Sequence, residues 1–144
     1  MQKLISDYVV GLVDGEGSFS VYVRDLSQSK EAKRRTRIEP KFFLKLIEVD
    51  KKILYCLKEF FRCGHVFFQK DNRPNHKNCY RFEIANRRDL NNKLIPFFKK
   101  HPLKLVSKKK DFQLFCKIME HINLGEHLTD NGLRKLYQIK RKMH

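Results

Sequence analysis

Apolar positions recur along this chain with two different periods, and the switches between them lay out a succession of elements. Over residues 4–15, Val9, Leu12 and Val13 fall at helical spacing and predict a short helix. From 18 to 24 the period drops to two, with Phe19, Val21 and Val23 against Ser20, Tyr22 and Arg24, which predicts a half-buried strand. The polar run 25–33 predicts a mobile hairpin loop. Beyond it, Arg35, Arg37, Glu39, Lys41 and Lys45 interleave with Ile38, Phe42, Leu44 and Leu46 in a second strand, where Pro40 predicts an edge or a bulge. Asp50 predicts an N-cap for a helix over 51–61, with Ile53, Leu54, Leu57, Phe60 and Phe61 inward and Gly64 as its stop. A second hairpin follows, strands 65–70 and 78–84 around a turn at 71–75. In it Tyr80, Phe82 and Ile84 oppose Cys79, Arg81 and Glu83. Helices over 88–97, 108–121 and 129–143 complete the order αββαββα plus two helices.

This order predicts the α+β class in a single domain, 1–144, with helices covering one face of an antiparallel sheet and leaving the other open. The 41% hydrophobic residues and 12 Phe exclude a disordered chain. No apolar stretch approaches the roughly 20 residues of a membrane span, and Asp14 breaks the longest one. Asp7 interrupts any signal-peptide pattern early. With 32 Lys and Arg against 16 Asp and Glu, the net charge of +16 predicts a polyanionic partner, most simply nucleic acid. A basic component held in a larger assembly, such as a ribosomal protein, carries the same signature.

Cys56, Cys63, Cys79 and Cys116 form no C-x-x-C pair, which predicts free thiols in an intracellular protein. Cys63-x-His65 followed by His76-x-x-Cys79 offers four zinc-type ligands. The competing reading makes them structural residues, because Gly64 sits between the first two at a helix-to-strand turn and Cys79 falls in a strand. The stronger site is the open sheet face. Alternation turns Ser20, Tyr22, Arg24, Arg35, Arg37, Lys41, Arg81 and Glu83 to one side, with His65, Phe67 and Gln69. An antiparallel ribbon of this kind fits the DNA major groove, where Arg reads guanine and Gln reads adenine.

The most specific segment is 9–17, V-V-G-L-V-D-G-E-G. Gly11 and Gly15 lie one turn apart and let a second helix approach closely, so this helix has a core on one side and room for a partner on the other. Asp14 and Glu16 place acid at its end in an otherwise basic chain. The segment resembles the nonapeptide of the LAGLIDADG homing endonucleases position by position, and Glu16 stands at its eighth, acidic place. The resemblance extends over the two hairpins, the 61–66 turn, His101-Pro102-Leu103 leading to Lys108-Lys109-Lys110-Asp111-Phe112, and the tail Glu126-His127-Leu128-Thr129 with Gly132-Leu133.

The resemblance implies a fold that sits as a saddle on double-stranded DNA. With one motif in the chain it implies a homodimer, the motif helices meeting through Leu4, Tyr8, Gly11, Leu12, Asp14 and Gly15, on a roughly palindromic target. It implies Glu16 as the catalytic acid and metal ligand, with the Gly15 carbonyl beside it and Asp14 in a structural role. Mg²⁺ would be the cofactor, with Mn²⁺ able to substitute, and both strands would be cut to leave short 3′ overhangs. Lys108 best matches the family lysine near the scissile phosphate, with Lys109 as its rival. Leu46 stands where the family often has Gln, a departure that Lys45 or Glu48 could offset. The resemblance equally admits a maturase that binds its own intron RNA, or an inactive nucleic-acid binder of the same fold. The excess of Lys over Arg, with frequent Asn and Phe, hints at an AT-rich organellar genome, mitochondrial or chloroplast.

Overall fold

The first helix hands the chain to the first strand with no loop between them. The computed structural model describes residues 2–27 and 37–144, and in it α1 (Ser6–Glu16) runs directly into β1 (Gly17–Val23). Gly17 makes this possible. It leaves the helix with extended backbone while its N–H bonds to the Val13 carbonyl, and a Cβ there would lie 2.7 Å from Val13 Cγ1. β2 (Ile38–Ile47) leads through one 3₁₀ turn, Glu48–Asp50, to α2 (Lys51–Phe61), and β3 (His65–Gln69) and β4 (Cys79–Ile84) form the second hairpin. Then come α3 (Arg87–Asp89), a wide π segment Leu90–Leu94, α4 (Ile95–Lys100), α5 (Val106–Asn123), a 3₁₀ turn Glu126–Leu128 and α6 (Asp130–Lys140). This is the expected αββαββα order with two helices after it. The strands form one four-stranded sheet in the order β1-β2-β4-β3.

Several local expectations need correction. Asp50 is the N-cap of α2 as expected, but its side chain makes no capping bond: it closes the 3₁₀ turn, and the Lys51 N–H bonds to the Glu48 carbonyl, so α2 grows out of a turn that is already helical. The stop of α2 is shared, because Arg62 adopts the left-handed conformation (φ 56°) before Gly64 does (φ 90°). Gly64 is nonetheless required, since a Cβ there would meet the Phe82 ring at 2.6 Å. Pro40 lies in an inner strand, but the β2–β4 register starts at Phe42, so its missing N–H removes no bond to β4. The helix expected at 88–97 is longer and broken by the π segment just before Pro96, which removes one helical hydrogen bond. The loop expected at 25–33 lies outside the described residues from position 28 on.

The chain divides into two compact units, 1–18 with 41–104 and 19–40 with 105–144. In the first, β2, β4 and β3 turn Phe42, Leu44, Phe82 and Ile84 into a core with Leu54, Leu57 and Phe61 of α2 and Phe98 of α4. The rings interlock edge-on or tilted, Phe42 at 6.4 Å from Phe82 and 6.3 Å from Phe98. Each such ring contributes about 1.5–3 kcal/mol by leaving water. In the second unit Phe19, Val21 and Val23 of β1 and Ile38 of β2 are buried, as are Phe115, Ile118 and Met119 of α5 and Leu133 and Leu136 of α6. Phe19 packs at 5.2 Å from Phe112 and 5.5 Å from Phe115. The period-two patterns predicted for the first two strands are thus carried into burial, with alternate residues inward and the rest half-buried or exposed.

Candidate active site and nucleic-acid interface

At its C-terminal end α1 carries two acids with opposite fates. Asp14 is 8% exposed, and its carboxylate accepts the Lys104 N–H at 2.8 Å, fastening the segment after α4 to the helix. Glu16, one residue short of β1, is exposed, as is Gly15 before it. A structural Asp14 and an outward Glu16 follow from helix geometry, since neighbours two apart point about 200° apart.

The same helix buries Val9, Val10 and Val13 and leaves another side open. Ile5 is 68% exposed and Tyr8 44%, and a Cβ built on Gly11 or Gly15 meets nothing within 4 Å. Leu12 is half-buried beside them. Among the residues expected at a helix–helix interface, Tyr8, Gly11, Leu12 and Gly15 therefore have accessible surface, while Leu4 and Asp14 are buried in their own unit.

On the polar side of the sheet in the first unit, the strand register sets three cross-strand rows: His65, Glu83 and Phe43; Phe67, Arg81 and Lys45; Gln69, Cys79 and Ile47. The Arg81 guanidinium lies over the Phe43 ring, 3.7 Å from its centre, and donates to Glu83 Oε1 at 2.9 Å. Lys41 approaches the same oxygen at 3.7 Å. Lys41, Arg81 and Glu83 thus form one charged cluster on this face, with Phe67 exposed and Gln69 half-buried nearby. Phe43 escaped the sequence reading, which took Phe42 as the apolar residue at that point. Its odd position in β2, level with Lys41 and Lys45, was the signal. Leu46 follows Leu44 on the other side of β2, while Lys45 beside it is exposed on the polar side.

In the second unit Ser20, Tyr22 and Arg24 are half-buried on the side of β1 opposite Phe19, Val21 and Val23. The Arg24 N–H bonds to the Arg37 carbonyl at 2.8 Å, extending the β1–β2 pairing past both strands. Arg37 is engaged elsewhere by its side chain: Nη2 donates to Asp130 Oδ1 at 2.9 Å and Nε to the His127 carbonyl at 3.2 Å. That ion pair holds the Asp130 carboxyl below its usual range. Arg35 lies outside the described residues. Lys108 and Lys109 stand in the first turn of α5, Lys109 exposed and Lys108 half-buried.

The zinc-type quartet does not assemble: among the described residues no group of three His, Cys, Asp or Glu is placed to hold a metal. Cys63 is half-buried, and burial pushes its thiol pKa up, with the Asp89 charge adding to the shift, which makes it a poor thiolate ligand. His76 is drawn instead toward Asp71, at 3.7 Å.

Known proteins share this fold. The chain is 33% identical over 135 residues to probable intron-encoded endonuclease 3 of Neurospora crassa, an alignment covering 93% of this chain and 24% of that protein. Its structure resembles that of the homing endonuclease I-TnaI, with a TM-score of 0.81 and 38% identity, over 99% of this chain and 90% of that one. It also resembles I-SmaMI bound to an uncleaved DNA target in the presence of calcium ions, with a TM-score of 0.83 and 32% identity, over 99% of this chain and 45% of that one. The LAGLIDADG endonuclease family model matches residues 9–119, from the start of the nonapeptide to deep in α5, and the chain is a member of the LAGLIDADG endonuclease family.

Proposed function

We propose that this chain is a site-specific homing endonuclease subunit that cuts both strands of double-stranded DNA as a homodimer, with 1–144 acting as its catalytic domain. The observation that carries this reading is the exposed Glu16 carboxylate at the end of a helix whose open side is formed by Ile5, Tyr8, Gly11 and Gly15. Two copies meeting through that side bring two Glu16 residues together at a twofold axis. Like charges so placed repel unless cations lie between them. The Glu16 carboxylate and the Gly15 carbonyl are hard oxygen donors of the kind Mg²⁺ prefers, with Mn²⁺ as a substitute. A single chain offers too few such ligands among the described residues to complete a cage, which fits a cation shared with a partner and with DNA phosphate. The calcium-containing complex of I-SmaMI with DNA supports a divalent cation. When bound, such an ion supplies an activated water and charge stabilisation at the leaving oxygen.

The chain's own residues do the rest. Asp14 locks the helix end through the Lys104 N–H and so fixes where Glu16 points. Lys108, with Lys109 as its rival, neutralises the phosphate under attack. Ser20, Tyr22, Arg24, Arg35, Lys41, Phe67, Gln69, Arg81 and Glu83 contact the DNA, whereas Arg37, expected among them, is held back by Asp130 and the His127 carbonyl. The intron-encoded name of the Neurospora relative supports an intron, and with it an organelle, as the setting.

The test is selection of cleaved sites from a randomised duplex library in Mg²⁺, run beside Glu16→Gln. The wild type is expected to return a roughly palindromic site with 3′ overhangs. The variant should bind that site and cut it about 10³-fold more slowly, the scale of several kcal/mol of metal stabilisation. Duplex binding by the wild type without cutting in Mg²⁺ or Mn²⁺ defeats the endonuclease reading and leaves the inactive binder. Sedimentation as a monomer at micromolar concentration, with and without DNA, defeats the homodimer.

A further inference from the structure

The second unit holds a cleft of about 470 Å³, lined by Arg24, Asp25, Arg134, Lys135, Tyr137 and Arg141 among others, of which only Arg24 has a role above. Four cations face one carboxylate there. That carboxylate is already occupied: Asp25 accepts the Ser27 N–H at 2.9 Å and the Ser27 hydroxyl at 2.6 Å. Arg134, Tyr137, Gln138 and Arg141 follow one another at helical spacing on a single side of α6, so the positive charge is concentrated on one ridge.

That ridge is held in place by the structure around it. Thr129 caps α6 by accepting the Gly132 N–H at 3.0 Å, and Arg37 ties the start of the helix to the end of β2 through Asp130 and the His127 carbonyl. On the other wall, Arg24 continues the polar side of β1 that carries Ser20 and Tyr22, and its N–H keeps the hairpin paired. Cations gathered in a concavity repel one another, and a string of phosphates relieves that repulsion while releasing its own counterions. The Tyr137 hydroxyl donates to Asp25 and so helps to satisfy the one carboxylate, and the Gln138 amide adds a neutral donor for phosphate oxygens.

We propose that this cleft grips the sugar–phosphate backbone of duplex DNA just outside the base pairs read by the β1–β2 hairpin, lengthening the footprint without adding sequence preference. The inference rests on the DNA-binding reading above. The test compares two duplexes: the site recovered by binding selection, trimmed to its minimum, and the same site flanked by one helical turn of random sequence at each end. Binding is measured against salt in Ca²⁺ for the wild type and for Arg134→Gln/Arg141→Gln, whose fold is checked by an unchanged Tm.

Flanks should tighten wild-type binding and steepen its salt slope by about 1 for each phosphate contact, so by about 2 for the two arginines. The double variant should gain nothing from the flanks while matching the wild type on the trimmed site. An equal gain by both proteins overturns the proposal. So does a variant defect confined to a structured RNA, which makes the cleft an RNA site. A folded wild type that binds neither duplex overturns the functional reading along with it, whereas intact binding with no flank effect removes the cleft alone.

Discussion

Arg81 at the centre of the sheet and Arg37 at its hairpin end fill equivalent places in the alternation of polar and apolar residues, yet the two are used differently. Arg81 lies against Phe43 and bonds to Glu83, which also draws Lys41, and all of these are neighbours on the same side of β2 and β4. Its charge stays on the sheet, held by these strand neighbours, with Nε buried beneath. Arg37 turns its guanidinium to Asp130 and the His127 carbonyl, about 90 residues later in the chain. Alternation fixes the side of the ribbon on which an arginine emerges. Which partner it meets depends on what the chain brings to that side. Where only strand neighbours are present the arginine stays on the sheet face, and where a tail is docked it becomes a brace.

The strongest way to break this contrast is to dislodge the tail. Gly132, in the first turn of α6, has no room for a side chain: a Cβ would lie 1.7 Å from the Glu126 carbonyl oxygen and 3.0 Å from Thr129 Oγ1. Gly132→Ala must therefore separate α6 from the 3₁₀ turn before it, at a cost of about 1–3 kcal/mol or somewhat more, and take the partners of Arg37 with it. Thermal melting should show the loss, and adding Arg37→Ala should then cost less than it does alone. Full additivity of the two changes would mean that Arg37 does not act through the tail.

Next in size is the effect of Arg81→Ala on recognition. If the Phe43 shelf and Glu83 hold Arg81 ready for a base edge, its removal costs about 1–3 kcal/mol at one base pair per half-site and relaxes preference there. Tm should hardly move, because the side chain packs on an open face. Binding profiles over a library of single-base-pair changes would separate this from a phosphate contact, which weakens all sequences alike. A uniform loss returns Arg81 to the role of a solvated charge.

Much of this was legible in the sequence because it is written in short-range periods. Phe19, Val21 and Val23 announce β1, Leu54, Leu57 and Phe61 announce α2, and the 9–17 nonapeptide announces both the helix end and its outward acid. What was not legible depends on partners distant in the chain. The Asp14 bond to Lys104, the departure of Arg37 to the tail and the crowding at Gly132 all join residues that no local pattern connects. Phe43 was missed for a smaller reason, whereas Leu46 lies with Phe42 and Leu44 as expected. Two adjacent phenylalanines hide the one that lies on the polar side until the cross-strand register places Phe43 level with Glu83.

The smallest effect gives the finest test of the brace. Arg37→Ala removes one hydrogen bond to a backbone carbonyl, worth about 0.5–1.5 kcal/mol, together with the pairing to Asp130. These two parts differ in their response to acid. Hydrogen bonding to Arg37 lowers the Asp130 pKa in the folded chain below the value of an unpaired carboxyl, about 3.9. A depressed folded pKa means that the contribution is fully present above the unfolded value and disappears as pH falls through the folded one. The Tm difference between wild type and Arg37→Ala should therefore be constant near neutrality and shrink below about pH 4 to the part carried by the His127 carbonyl, which does not titrate. A difference that stays constant into acid would assign the whole brace to the backbone bond and remove Asp130 from it.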